Sequence, residues 1–156
     1  MADTESFLKI KDIEGECEKD KHKKEIELAS WAWSSFNSGA MGEVKTTCGK
    51  GSMSPMSFSS SCSKASPKLF LWCALGTYIP DAVIATRRSG GAGAQEEYFT
   101  ITLKDVFVTA YSTAGDFENF TLSFNEAEFN YLPQTAAAKA GGKVVHKFTL
   151  NTGVGS

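Results

Sequence analysis

Histidine and cysteine are scarce in this chain, with 2 and 4 residues among 156. Each scarcity excludes something. His22 and His146 stand far apart and make no H-E-x-x-H pair, so a zinc-hydrolase site has no ligands to start from. Cys17, Cys48, Cys62 and Cys73 form no C-x-x-C pair and are too few for a dense disulfide framework, so the sequence predicts four reduced thiols. No G-x-S-x-G elbow is present, which leaves a serine nucleophile without its strained turn. No apolar run approaches the ~20 residues of a helical membrane span. Charge of one sign is lacking too. The net charge is −2, so bulk electrostatics offer nothing to nucleic acid or to an acidic membrane. Met1 to Ser6 is polar and acidic, without the basic and apolar regions of a cleaved secretion signal. The expectation is a chain that folds in the cytoplasm and, if it is exported, leaves by a route that needs no such signal.

Aromatic and β-branched residues are abundant. Aromatics make up 12% of the chain, with 11 Phe and 3 Trp, and they fall in short alternating runs that favour strands. Phe7–Ile13 reads as a first strand, ended by Gly15 and a charged turn to Lys24. In Glu25–Phe36 the apolar residues Ile26 and Leu28 are even, whereas Trp31 and Trp33 are odd. Strand side chains alternate strictly, so this shift predicts a bulge or bend near Ala29-Ser30. The same reversal occurs at Lys104-Asp105, between Phe99/Ile101/Leu103 and Val106/Val108/Ala110. It recurs at Asn125-Glu126, between Leu122/Phe124 and Ala127/Phe129/Tyr131. Strands that exchange faces midway suit a small barrel or two packed sheets; alternatively, each break is a loop between two short strands.

One helix is expected over Pro67–Leu75, with Ser66 as its cap, Pro67 at the first helical position and Gly76 as the left-handed stop. Leu69, Phe70 and Cys73 would share its buried face, with Trp72 extending it. Further strands are expected from Pro80 to Arg88, from Tyr98 onward, and from Val144 to Leu150. The fold class is therefore mainly β: a small barrel of two packed antiparallel sheets with one short helix on its flank, in one domain over 1–156. Residues 37–55 read as one long loop, a length more often functional than incidental.

Candidate chemistry is thin. Cys48 is the thiol best placed for oxidation or crosslinking, but no histidine stands near it in sequence. Gly90–Ala94 lacks the Gly-Lys-Ser/Thr of a phosphate loop and runs into a strand. Glu96/Glu97 and Glu126/Glu128 read as rim charges, and His22 as part of a solvated turn. The balance is against an enzyme and against any cofactor or metal. More informative are the faces opposite the aromatic stripes. Ser30, Ala32 and Ser34 flank Trp31 and Trp33, and Ser57, Ser59, Ser61 and Ser63 alternate with Phe58 and Cys62. Such small, weakly charged faces suit a smooth wall or a contact with another subunit; the alternative is a plain Ser/Thr-rich face exposed to solvent.

Several segments carry a family resemblance. They are Lys9-Ile10, Gly15-Glu16, His22-Lys23 and Glu25-Ile26 leading into Ser30-Trp31-Ala32-Trp33, then Lys64-Ala65-Ser66-Pro67-Lys68-Leu69-Phe70, Gly76 and Ile79-Pro80-Asp81-Ala82. Arg87, Gly90-Gly91, Glu97-Tyr98, Thr102 to Val106, Phe124 to Tyr131 and Pro133-Gln134 continue it. In this order and spacing the chain resembles the Hcp (haemolysin-coregulated protein) family, tube subunits of the bacterial type VI secretion system. The resemblance implies a homo-hexameric ring, rings stacked into a tube, a contractile sheath around it, a spike at its tip and effector proteins in its lumen. It also implies assembly in the bacterial cytoplasm followed by secretion. On this reading Ser30, Ala32 and Ser34 are expected to face the lumen. Gly39, Met41, Gly42, Val44, Lys45 and Cys48 belong to the loop that would touch a neighbouring subunit or ring. The long loop, the segment Thr113 to Asn119 and the last strand depart from the family pattern. The competing readings are a monomeric β-barrel that binds a small ligand and an enzyme with an unrecognised site.

Overall fold

The computed structural model describes residues 4–37, 51–89, 95–133, 144–149 and 154–155. The strands are β1 (Thr4–Ile10), β2 (Ile26–Ala32), β3 (Ser35–Asn37), β4 (Gly51–Met53), β5 (Met56–Ser61), β6 (Ile79–Ser89), β7 (Gln95–Ala114), β8 (Phe117–Ser123), β9 (Glu126–Tyr131), β10 (Val144–Thr149) and β11 (Val154–Gly155). The helix α1 (Ser66–Leu75) lies between β5 and β6. One sheet runs β11-β10-β9-β7-β6-β1-β2-β5-β8. It closes where β8 returns to β7, so β7, β6, β1, β2, β5 and β8 form a barrel, and β9, β10 and β11 extend from it.

The phase reversals in the sequence are where the sheet turns. In β2 the register against β5 shifts between Leu28 and Ser30, the bulge expected at Ala29. In β7 the chain stays one long strand, and the reversal is absorbed by Asp105, a non-glycine residue at φ 54°. Leu103 and Val106 can thus both point into the core, each fully buried. Opposite this corner the partner strand is interrupted. β9 pairs with Phe99–Lys104, β8 pairs with Phe107–Ala114, and Phe124-Asn125 fills the gap, with the Asn125 N–H donating to Lys104 O at 3.0 Å. The third reversal is therefore a short break between two strands, which was the alternative reading. A further bulge between Val108 and Ala110 leaves Ala110 exposed, not inward with Val106 and Val108 as the alternation predicts.

The barrel core holds Leu8, Ile26, Met56, Ile84, Ile101 and Leu122, with Phe58 and Phe120 stacked at 5.3 Å across β5 and β8. Burying each such side chain contributes about 1.5–3 kcal/mol. Trp31, Trp33, Phe99, Phe124 and Phe129 make an aromatic cluster against the core, the tightest pair being Phe99–Phe129 at 4.4 Å, edge to face.

Other expectations need correction. β1 ends at Ile10, because Asp12 adopts φ 65° and folds Ile13 back to a one-residue bridge with Ile10. The cap of α1 is Ala65; Ser66 is already helical, and its Oγ accepts from the Ser63 N–H at 2.9 Å. Gly76 ends the helix at φ 63° as expected. Leu69 is the buried anchor of α1, while Phe70 is 62% exposed and meets Tyr111 edge to face. The presumed loop 37–55 is not structureless at its ends. Phe36 and Asn37 pair with Ser52 and Gly51, and Ser54 N–H donates to Ser34 O, because short alternating segments flank its glycine-rich middle.

Between β1 and β2, Gly15 lies where a side chain cannot. Its N–H donates to Lys24 O at 2.7 Å, and an added Cβ would sit 2.2 Å from Glu25 O.

Candidate assembly surface

The outward residues of β2, β5, β8 and β7 form two rows that cross all four strands. One row is Ala32, Ser57, Thr121 and Ala110; the next is Ser30, Ser59, Asn119 and Ser112. Directly opposed residues on neighbouring strands point to the same side, so the rows make one continuous surface of small, uncharged side chains. They line a shallow depression of about 500 Å³. At its edge Thr109 and Thr121 share a hydroxyl bond of 2.9 Å, and Ser123 donates to Thr109 at 3.3 Å.

The structure therefore brings Ser30 and Ala32 together on this face and adds partners from β8 and β7 that sequence reasoning did not find. Those partners become visible only once β8 is known to pair with both β5 and β7. Ser34 lies past the end of β2. Its Oγ bonds Ser54 Oγ at 2.9 Å and its N–H donates to the same oxygen at 3.1 Å, so it braces the start of β3 against the end of β4 and does not line the depression. Gly39, Met41, Gly42, Val44, Lys45 and Cys48 lie outside the described residues.

Polar groups support this surface from beneath. Glu118, fully buried on β8, accepts from Ser60 Oγ at 2.9 Å and from Tyr111 Oη at 2.7 Å. Burial, with the Glu118 carboxylate beside it, pushes the Tyr111 phenol up to about 12, so it remains a donor. The strand period puts Glu118 on the same inward face as Phe120 and Leu122, a signal the sequence did carry. At the barrel edge, Arg87 lies 2.7 Å from Glu5, which also pairs with Lys19. The Lys19 bond, then Arg87, holds the Glu5 carboxyl below its ordinary range against the opposing effect of burial. Lys147 on β10 reaches Glu126 on β9 at 2.7 Å, and that bond raises the lysine.

Outside this face, large apolar side chains are exposed on α1 and β7, including Phe70, Leu71, Leu75 and Phe107. Cys17, Cys62 and Cys73 are free thiols. Among the described residues, no cluster of His, Cys, Asp and Glu is arranged to hold a metal, and no helix is long and apolar enough to cross a membrane.

The sequence matches the family described as "Type VI secretion system effector, Hcp" over residues 7–131. Protein hcp1 of Pseudomonas aeruginosa is 35% identical over 156 residues, covering 95% of this chain and 96% of that protein. The fold superposes on the crystal structure of Hcp1 from Salmonella typhimurium with a TM-score of 0.79 at 31% identity, covering 97% of both chains. It superposes on a structure titled as a type six secretion system protein with a TM-score of 0.88 at 26% identity, covering 99% of this chain and 100% of that one. The barrel closed by β7 and β8, its flanking helix and its full-length likeness to these proteins lead to one assignment: the chain belongs to the Hcp family of type VI secretion system proteins.

Proposed function

We infer that the chain works as a tube subunit of a type VI secretion system, that its working form is a homo-hexameric ring, and that rings stack into a tube. The observation that supports this beyond family membership is the four-strand wall. An ordinary solvent-facing sheet carries Lys, Glu or Arg, whereas the two rows around Ser30 and Ala32 carry only Ser, Thr, Asn and Ala. Such a face suits a smooth inner wall. If six copies each contribute these four strands, about 24 strands at ~4.8 Å give a channel roughly 37 Å across before tilt and side chains. A compact 100-residue domain has a radius of gyration of about 13 Å, so small effector proteins fit.

On this reading the partners are other copies of the chain, sheath and spike proteins, and effectors in the lumen. The chain is assembled in the bacterial cytoplasm and then secreted, and it acts as one structural domain over 1–156. The loop carrying Gly39, Met41, Gly42, Val44, Lys45 and Cys48 would contact the neighbouring subunit or ring. Ser34, bonded to Ser54, belongs to the margin of the wall.

Negative-stain images of the purified chain should show annuli, and Ala32→Arg should keep the annuli while reducing co-purified effector severalfold. Unchanged effector recovery would remove Ala32 from the lumen. Lone particles of protomer size at high concentration would remove the ring.

A further inference from the structure

The connection between β1 and β2 holds a charged cluster built around a buried histidine. His22, at its centre, is 3% exposed. Its ring stacks on Phe7 of β1 with centroids 4.2 Å apart and planes 7° from parallel. Nδ1 lies 2.8 Å from Glu25 Oε2 in a hydrogen bond. Nε2 lies 3.1 Å from Glu97 Oε1 on β7, within ion-pair distance but off the line of a hydrogen bond, and it has no other partner.

The remaining charges nearby are accounted for. Lys19, on the same connection, accepts the His22 backbone N–H through its carbonyl at 3.0 Å and sends its ammonium to Glu5 of β1 and Glu27 of β2. Arg87 of β6 pairs with Glu5 and lies 4.9 Å from the Phe7 ring centre. Lys19 thus pairs with Glu5 and Glu27 and Arg87 with Glu5; Arg87 also stands directly opposite Glu97 across β6 and β7, and the imidazole is the group within ion-pair distance of both Glu25 and Glu97.

A carboxylate only accepts, so an imidazole set between two of them is satisfied on both sides only when each nitrogen carries a proton. We propose that His22 is a proton-operated clasp that ties the β1–β2 connection to β7 through Glu25 and Glu97. With the Nε2 proton in place, the ring draws the two carboxylates together. Without it, a buried lone pair faces the Glu97 carboxylate and the tie is lost. The clasp is therefore closed on the acid side and opens as pH rises, because the tie needs a proton on each ring nitrogen.

The test uses the full chain. Imidazole ¹⁵N resonances should report protons on both His22 nitrogens at pH 6, with Nε2 losing its proton first as pH rises. Amide exchange over Gly15–Glu25, corrected for its intrinsic pH dependence, should lose about tenfold in protection between pH 6 and pH 8, the worth of one charge-assisted contact. Glu97 is 41% exposed, so Glu97→Gln leaves the core intact. In that variant the difference between the two pH values should fall below about twofold, with Nδ1 still bonded to Glu25. An unprotonated Nε2 at pH 6, or an undiminished pH difference in Glu97→Gln, would overturn the proposal.

Discussion

Replacing Gly15 by alanine should unfold this protein at a markedly lower temperature, and the size of the effect follows from one contact. The new methyl would sit 2.2 Å from Glu25 O, 2.6 Å from Glu25 C and 2.8 Å from Ile26 N. The first distance is roughly 1.3 Å inside an optimal contact. All three obstacles are backbone atoms at the start of β2, so no side chain can swing away. The connection must move, at an overpacking cost of about 1–3 kcal/mol. Moving it stretches the Gly15 N–H to Lys24 O bond of 2.7 Å and the Cys17 N–H to Glu25 O bond of 3.2 Å, each worth about 1 kcal/mol. A total near 3 kcal/mol corresponds to a fall in Tm of roughly 6–12 °C for a chain of this length. Thermal unfolding by circular dichroism, with urea unfolding to check that the m-value is unchanged, measures it. A shift under about 2 °C would refute the reasoning and mean that the connection has more room than the contact allows.

Leu69→Ala should destabilise the barrel by about 2–5 kcal/mol, because Leu69 is the fully buried anchor of α1. Phe70→Ala, at a 62% exposed position, should cost well under half of that in the same urea titration. Tyr111 gives an alkaline signature. Its phenol is raised to about 12 in the fold, so the folded state keeps a proton that the unfolded chain releases from about pH 10. That contribution is whole below pH 10 and is lost as pH rises through 12, giving a downward alkaline limb in stability. Tyr111→Phe should flatten that limb. At neutral pH it should cost about 1–3 kcal/mol, because Glu118 keeps only its Ser60 donor.

Much of the fold was legible because a strand's period is strict. The reversals at Ala29-Ser30, Lys104-Asp105 and Asn125-Glu126 are the bulge, the left-handed corner and the strand break of the structure. Gly76 was legible because a helix stop at positive φ favours glycine. Ser66 looked like a cap because the residue type fits, but the true first turn is set one residue earlier by Ser63. Phe70 was misplaced because ten helical residues with apolar groups on several sides do not define one face. His22 read as solvated because its neighbours in sequence are charged. Its burial depends on Phe7 and Glu97, which only the folded chain brings to it. Of the wall, the half on β2 and β5 was visible in alternation with serine, and the half on β8 and β7 needed the pairing.

The central claim is that copies of this chain complete one another into a ring. Light scattering on the eluting protein, across a range of concentrations, tests it most directly. The account predicts a mass six times 16.8 kDa, about 101 kDa, with no smaller species at high concentration. A single species of 16.8 kDa throughout that range would contradict it.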